Sequence, residues 1–396
     1  MIITDSNKTV EFLLENFSCL KNKWHQDYEK IFLPLTSEYK SHVTDEIFHN
    51  LNFQNTGTVR DDKINILFSH FSFTKYELEA LELPLYASKI FPHANIDMCY
   101  FDSRGRMSNG NSHYLASVHE GTTTRPKSQF LDYDIIVGRS TIFKTMAEKT
   151  SSVLRNAKCR INIQTNNYTP NFGIGEDHNF CYTEFFAPGG RKFSDQACEN
   201  FEKYNFQKQN IIVMVGSIIW WKGQAEWLEN IDGDLLKDHT VVIFGNIYDN
   251  SYWQRITAAA ARKNVNLLYS KYVNPKFLCD VLSLAKIKVM NHYPDPPEQP
   301  VVGPARTFGE ALSCKNICLL GQKYVSHSKI GKTNFLPAEW NSYTVEYDQN
   351  HKNNFDDAFV KAKMLAESDT SFSELISIEQ KCDQILEKCL NLFGTK

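Results

Sequence analysis

The sequence predicts an α/β protein built from two consecutive βα domains, each a parallel sheet with helices on both faces. Three observations predict this. The chain has 396 residues, more than one ordinary core holds, and two domains of roughly 150 residues with extra helices fit that length. Apolar runs of strand length alternate with stretches of helical periodicity, the pattern of βαβ units. The alternation stops at Ala187–Gln209, where Pro188-Gly189-Gly190 opens a charged stretch, and then restarts.

The elements follow in order. Residues 1–60 are polar, with helical apolar spacing in Val10–Leu20 and around Tyr28–Leu35. They read as an appended helical extension or an interaction arm. The first domain, residues 61–187, opens with the strand Ile64–Ser69. A helix over Glu77–Ile90 and a strand over Ile96–Phe101 come next. Ser103–Lys127 is rich in Gly, Ser, Asn and Thr and reads as a long loop. Tyr133–Val137 is a buried strand, Ser140–Lys149 a helix with Ser140 as its cap, and Arg160–Gln164 a strand. Asn166–Asp177 is a loop, and Phe180–Phe186 a short strand.

Residues 188–210 form the linker, and residues 211–350 the second domain. Its strands are Ile211–Val215, Thr240–Phe244, Val265–Leu268, Ile287–Asn291 and Ile317–Leu320. Its helices are Gln224–Asn230, Ser251–Lys263, Asn274–Ala285 and the turn or two that holds Arg306 and Glu310. Phe355–Glu367 and Ser371–Leu392 close the chain as helices within residues 351–396.

Composition narrows the function classes. Hydrophobic residues make up 42% and aromatics 13%, ample for packed interiors. A net charge of −3 argues against bulk nucleic-acid binding. The ten cysteines show no CxxC pair and no Cys/His zinc spacing, and several sit inside apolar runs as buried free thiols do. A reducing, cytoplasmic compartment follows. The N-terminus lacks the basic start and long apolar stretch of a signal peptide. The longest apolar run, Ile211–Trp221, falls short of the roughly 20 residues a membrane helix needs. The expectation is a soluble protein, at most peripheral at the inner face of a membrane.

Ligands of open α/β sheets bind beyond the carboxyl ends of the strands, and two such domains make the cleft between them the default site. Four loops of the second domain therefore matter. Gly216-Ser217 ends a strand, and Lys222-Gly223 opens a helix, where free N–H groups and a lysine suit phosphate oxygens. A solvated lysine beside two packed tryptophans is the plain alternative. Gly245 follows a buried strand and permits close ligand approach or merely a turn. Asn291–Glu298 is stiffened by prolines and carries His292, Asp295 and Glu298. Arg306 and Glu310 lie four residues apart, on one helix face, with Thr307 between them. A cation and a carboxylate there suit a phosphate and a sugar hydroxyl, although an ordinary surface pair has the same spacing.

These motifs carry a resemblance. Strand–Gly-Ser…Lys-Gly–helix, then VVIFG, then AKIKVMNHYPD…RTFGEALSCKNICLLG resembles the donor domain of GT-B glycosyltransferases of the group 1 type, including the CgeB-like branch. The resemblance covers residues 211–325; the first domain matches only in architecture. It implies two Rossmann-like βα domains facing a cleft. It also implies Glu310 on the ribose of a nucleotide, Lys222 on the diphosphate, and Arg306 as the arginine preceding the glutamate. The donor would be a nucleotide-diphosphate sugar and the acceptor a glycan or lipid-linked hydroxyl. No further cofactor and no metal are implied.

The chain departs from the family at named positions. Ser217 stands where an arginine is usual. Val302 stands eight residues before Glu310, where a carboxylate is usual, so Glu298 or Asp295 is the substitute. Lys315-Asn316 replaces the usual glycine turn, and Asn tolerates a left-handed cap. A general base is expected from the first domain: His70 at the end of its first strand, or His113, His119, Glu120, Asp177 or His178. Arg104, Arg106 and Arg125 would shape the acceptor side. The alternatives are a nucleotide-sugar 2-epimerase of the same fold and a degenerate nucleotide- or glycan-binding protein. A dinucleotide-dependent oxidoreductase is disfavoured, because no GxGxxG follows Ile64–Ser69 or Ile211–Val215.

Overall fold

The structure is a computed structural model. It describes residues 1–32, 63–70, 84, 87–88, 93–101, 113–119, 122–126, 131–138, 159–164, 179–183, 191–293, 306–321 and 343–368. The helices expected at Ser140–Lys149 and Ser371–Leu392 and the loop expected at Asn166–Asp177 lie outside these residues, as does most of Glu77–Ile90 and of Asn291–Glu298. The chain divides into two units; among the described residues, 63–183 fall in one and 1–32 with 191–368 in the other.

The chain opens with β1 (Ile2–Ile3), α1 (Ser6–Asn16) and α2 (Ser18–Trp24). Residues 63–183 then supply β2 (Asn65–His70), β3 (Asn95–Phe101), β4 (His113–His119), β5 (Thr122–Pro126), β6 (Ile135–Gly138), β7 (Cys159–Gln164) and β8 (Asn179–Thr183). These form a seven-stranded sheet in the order β5-β4-β3-β2-β6-β7-β8. β2, β3, β6, β7 and β8 pair in parallel. β4 runs antiparallel to both β3 and β5. The sheet is therefore mixed, and the stretch expected to be a loop at Ser103–Lys127 contains two strands. The β-branched run Thr122-Thr123-Thr124 suits a pleated edge, and the buried Ile96 and Val118 stand opposite one another across β3 and β4.

The other unit continues with α3 (Arg191–Glu202), β9 (Gln209–Val215), α4 (Gln224–Asn230), β10 (Thr240–Phe244), α5 (Asn250–Arg262), β11 (Asn266–Ser270), α6 (Pro275–Leu284), β12 (Ala285–Met290), α7 (Arg306–Ser313), β13 (Ile317–Gly321), β14 (Thr344–Tyr347) and α8 (Asn353–Glu367). Its sheet order is β1-β11-β10-β9-β12-β13-β14, with every pair parallel. Strands covered on both faces read as continuous apolar runs, and all five residues of β13 are buried. Polar caps start α5 and α6. Asp249 accepts from Tyr252 N at 3.1 Å and Asn274 from Lys276 N at 2.9 Å. No described helix is long and apolar enough to cross a membrane.

Residues 1–32 are no appendage. β1 pairs with β11, Ile2 opposite Leu267. Val10, Leu13, Leu20 and Trp24 enter the core of this unit. The buried Asp280 of α6 anchors them. It accepts from Lys23 Nζ at 2.9 Å and Trp24 Nε1 at 2.6 Å, and from Gln196 Nε2 and Asn200 Nδ2 of α3. The expected linker is likewise built in, because α3 lies against α6 and α7. One further correction concerns the end of α7. The residue with positive φ is Lys315, at 59°, rather than Asn316. Asn316 is buried instead, its Nδ2 donating to Leu282 O and Ala285 O.

Among the described strands, each sheet has one topological switch point. From β9 the chain adds β10 and β11 on one side, then crosses to add β12, β13 and β14 on the other. The crevice between successive crossovers opens at the carboxyl ends of β9 and β12. In the other unit the switch falls between β2 and β6.

Candidate functional site

The segment after β9 runs through Gly216 and Ser217 to a turn of 3₁₀ helix, Trp220–Lys222, and reaches α4 through Gly223. Gly223 has φ +68°, and a β-carbon there would stand 1.9 Å from Asn291 O. Only glycine fits that crossing. Asn291, which follows β12, donates from Nδ2 to Gly223 O at 2.9 Å, while its Oδ1 accepts from Tyr347 O–H and Gln349 Nε2. Tyr293 N donates to Trp221 O at 2.7 Å. The loops after β9 and β12 are thus fastened together at the switch point.

The Lys222 side chain crosses over Gly216, with Cε 3.9 Å from where a β-carbon would lie. Burial lowers its pKa from the ordinary lysine range to about 8. Among the described residues no hydrogen-bond or ion-pair partner meets its Nζ. His292 is 8% exposed, and its imidazole is held well below its ordinary range, first by burial and then by the charges of Lys222 and Lys288. It is therefore neutral at pH 7.

Glu310 sits on the second turn of α7 and is 5% exposed. Beneath that helix lies Lys288, at the middle of β12 and 0% exposed. Its Nζ donates to Thr307 O at 2.8 Å. Burial lowers Lys288 to about 8, and the charge of Glu310 opposes that shift. The site therefore holds two lysines and a neutral histidine, with one carboxylate set against the deeper lysine.

Gly216, Ser217, Lys222, Gly245, His292, Thr307 and Glu310 all fall in this unit, in or just beyond the loops that follow its strands. Gln224 Nε2 donates to Ser217 O at 3.0 Å, and Ser217 Oγ is 3.4 Å from Tyr272 O–H. Arg306 is the first residue of α7. His70 ends β2, at the switch point of the other unit, and His113 and His119 end β4. Arg125 lies in β5. Asp295, Glu298, Val302, Glu120, Asp177, His178, Arg104 and Arg106 lie outside the described residues. Sequence reasoning missed Lys288 and Asn291. A lysine inside an otherwise apolar central strand was the available signal, since a buried charge must find a partner.

No protein-family profile matches the chain, and no curated protein does. Solved structures do. AviGT4, a glycosyltransferase involved in avilamycin A biosynthesis, matches with a TM-score of 0.51 at 10% identity, over 84% of this chain and 99% of that one. The catalytic domain of starch synthase IV from Arabidopsis thaliana, bound to ADP and acarbose, matches with a TM-score of 0.50 at 8% identity, over 84% and 99%. The likeness is one of chain path, since so few residues are shared. This chain has the GT-B fold of these glycosyltransferases, two units of Rossmann-like βα build.

Proposed function

We propose that this protein is a glycosyltransferase that moves a sugar from a nucleotide-diphosphate sugar to a glycan, lipid-linked or other hydroxyl acceptor. The observation that carries this reading is Lys222. It is a largely buried lysine laid over Gly216 at the switch point, with no carboxylate on its Nζ among the described residues. A diphosphate supplies the charge that such a group lacks.

In the reaction the bond from the sugar's anomeric carbon to the diphosphate oxygen breaks, and its electron pair stays on the diphosphate. The acceptor oxygen forms the new bond and gives up its proton. The transition state resembles that of glycoside hydrolysis, with positive charge on the sugar. Catalysis then consists of stabilising the departing diphosphate and holding the acceptor in line. We assign the first task to Lys222 and Arg306, with the backbone N–H groups that open α7. Glu310 takes the ribose hydroxyls as acceptor of their hydrogen bonds.

His292 suits a donor contact better than a base. Protonating it beside Lys222 and Lys288 would set three cations near one another. His70, at the carboxyl end of β2, is the residue we assign to receive the acceptor's proton.

The test is thermal unfolding with UDP, ADP, GDP and CDP. A ligand at 100 times its dissociation constant adds about 2.7 kcal/mol. One diphosphate should stabilise the wild type and fail with Glu310→Ala. No stabilisation by any of them sinks the reading. Binding without sugar transfer or donor hydrolysis would mark a nucleotide-binding protein instead. Release of the free epimerised sugar would mark the epimerase.

A further inference from the structure

Lys288 has no place in the reading above, and its surroundings are unusual. It is a lysine at 0% exposure in the middle of the strand that borders the switch point, and its Nζ spends a hydrogen bond on Thr307 O, 2.8 Å away. Thr307 is the second residue of α7, so this bond ties the strand to the helix's first turn. Glu310 follows one turn later on the same helix, buried, and near enough for its charge to act on Lys288. An isolated ammonium in such a place is strongly disfavoured unless it is compensated. A purely structural interior would fill the position with an apolar side chain, as Ile287, Val289 and Met290 fill theirs.

We infer that Lys288 is a positioning residue of the donor site: it fixes the first turn of α7 through Thr307 and offsets the charge of Glu310 from below. The carboxylate then meets the ribose hydroxyls at a set place. The inference rests on the nucleotide-sugar reading of the site. It assigns recognition of the sugar part of the nucleotide to a pair, Lys288 and Glu310, rather than to Glu310 alone. Two loops hold the diphosphate, and the pair reads the ribose.

The test compares each of UDP, ADP, GDP and CDP with its 2′-deoxy counterpart and with inorganic pyrophosphate, by calorimetric titration. The wild type should prefer the ribose form of the diphosphate it binds. In Lys288→Met that preference should fall by about 10- to 100-fold, the range for a lost hydrogen bond to a charged group. Pyrophosphate affinity should stay within about threefold. A general loosening of the fold would instead weaken ribose, deoxyribose and pyrophosphate ligands together, and that result overturns the inference. Unchanged ribose preference in Lys288→Met overturns it as well.

Should Lys288→Met fail to fold, the double variant Lys288→Met with Glu310→Gln removes both charges at once, which a buried site tolerates better than removing one. If Lys288 acts through Glu310, the double variant keeps the ribose preference of Glu310→Gln alone. A further loss shows an independent role and rejects the inference. Failure of the broader reading looks different, because a wild type that binds none of these diphosphates never reaches the comparison.

Discussion

A β-carbon on Gly245 would stand 1.8 Å from the carbonyl oxygen of Gly216. The loops that follow β9 and β10 therefore meet backbone to backbone. Two hydrogen bonds hold them there, Ile218 N to Asn246 O at 2.8 Å and Tyr248 N to Ile218 O at 3.1 Å. Gly245→Ala must push Gly216 and Ser217 aside. Overpacking of this kind costs about 1–3 kcal/mol. Urea unfolding should show a loss of that size, and nucleoside diphosphate affinity should fall beyond it. Wild-type stability and affinity together would contradict the contact.

Lys222 carries a second prediction. Its proton leaves the unliganded protein at about pH 8, because burial disfavours the charge. A diphosphate needs the charged form. Pyrophosphate affinity should therefore weaken as pH rises from 7 to 9. Lys222→Met should lower the affinity at pH 7 by about 10- to 100-fold. Lys222→Arg, charged throughout, should lessen the pH dependence. Titration calorimetry across that range reads all three, and a pH-independent wild type would count against the assignment.

Asp280 tests how the first thirty residues are held. It has four side-chain donors: Lys23, Trp24, Gln196 and Asn200. Asp280→Ala leaves the Trp24 N–H without its acceptor and the mostly buried Lys23 ammonium without its counter-charge, with Asn200 Oδ1 still accepting from Lys23 at 2.7 Å. Removing one partner of a buried pair costs about 3–5 kcal/mol. Chemical denaturation measures the loss, and hydrogen exchange should show it first in α1 and α2. Exchange that stays slow there would show that apolar packing alone docks the segment.

His239 predicts a response to acid. It is 1% exposed and lies edge-on to Phe359 of α8, with ring centroids 5.3 Å apart. Neither ring nitrogen has a hydrogen-bond partner among the described residues. Burial lowers its pKa, and the charges of Lys363 and Lys286 lower it further, against weaker opposition from Asp238 and Glu367. The unfolded chain then binds a proton more readily than the folded one. Stability contributed by neutral His239 is present above about 6.5, the unfolded value, and is lost as pH falls through the lower folded value. His239→Phe should flatten the stability profile between pH 7 and 5. An unaltered acid limb in that variant would exclude His239 as its source.

The second unit was far more legible in the sequence than the first. Thr240–Phe244 and Ile317–Gly321 are continuous apolar runs because helices cover both faces of that sheet, and such runs can be read directly. β4 was missed because His113–His119 sits in a stretch rich in loop residues, and its pairing to β3 is a long-range choice that local composition does not encode. β1 is two residues long and declares itself only through its partner, β11. At the site, Gly216, Lys222 and Glu310 stood out because strand and helix boundaries flank them. Lys288 was passed over because a lysine in a strand suggests an outward face. Lys208 shows the same limit: it lies in a stretch read as linker, yet its Nζ donates to Leu282 O, Ala285 O and Cys314 O at the ends of α6 and α7.

The pairing of β1 with β11 also sets an order of events during synthesis. Met1 and Asn266, joined through the N-terminal ammonium, are 265 positions apart. A ribosome adds about 5–20 residues per second, so α1, α2 and their apolar faces wait on the order of 10–50 s for the strand they complete. Residues 63–183 of the other unit are made within that interval. The first thirty residues of the chain are therefore among the last to reach their native place.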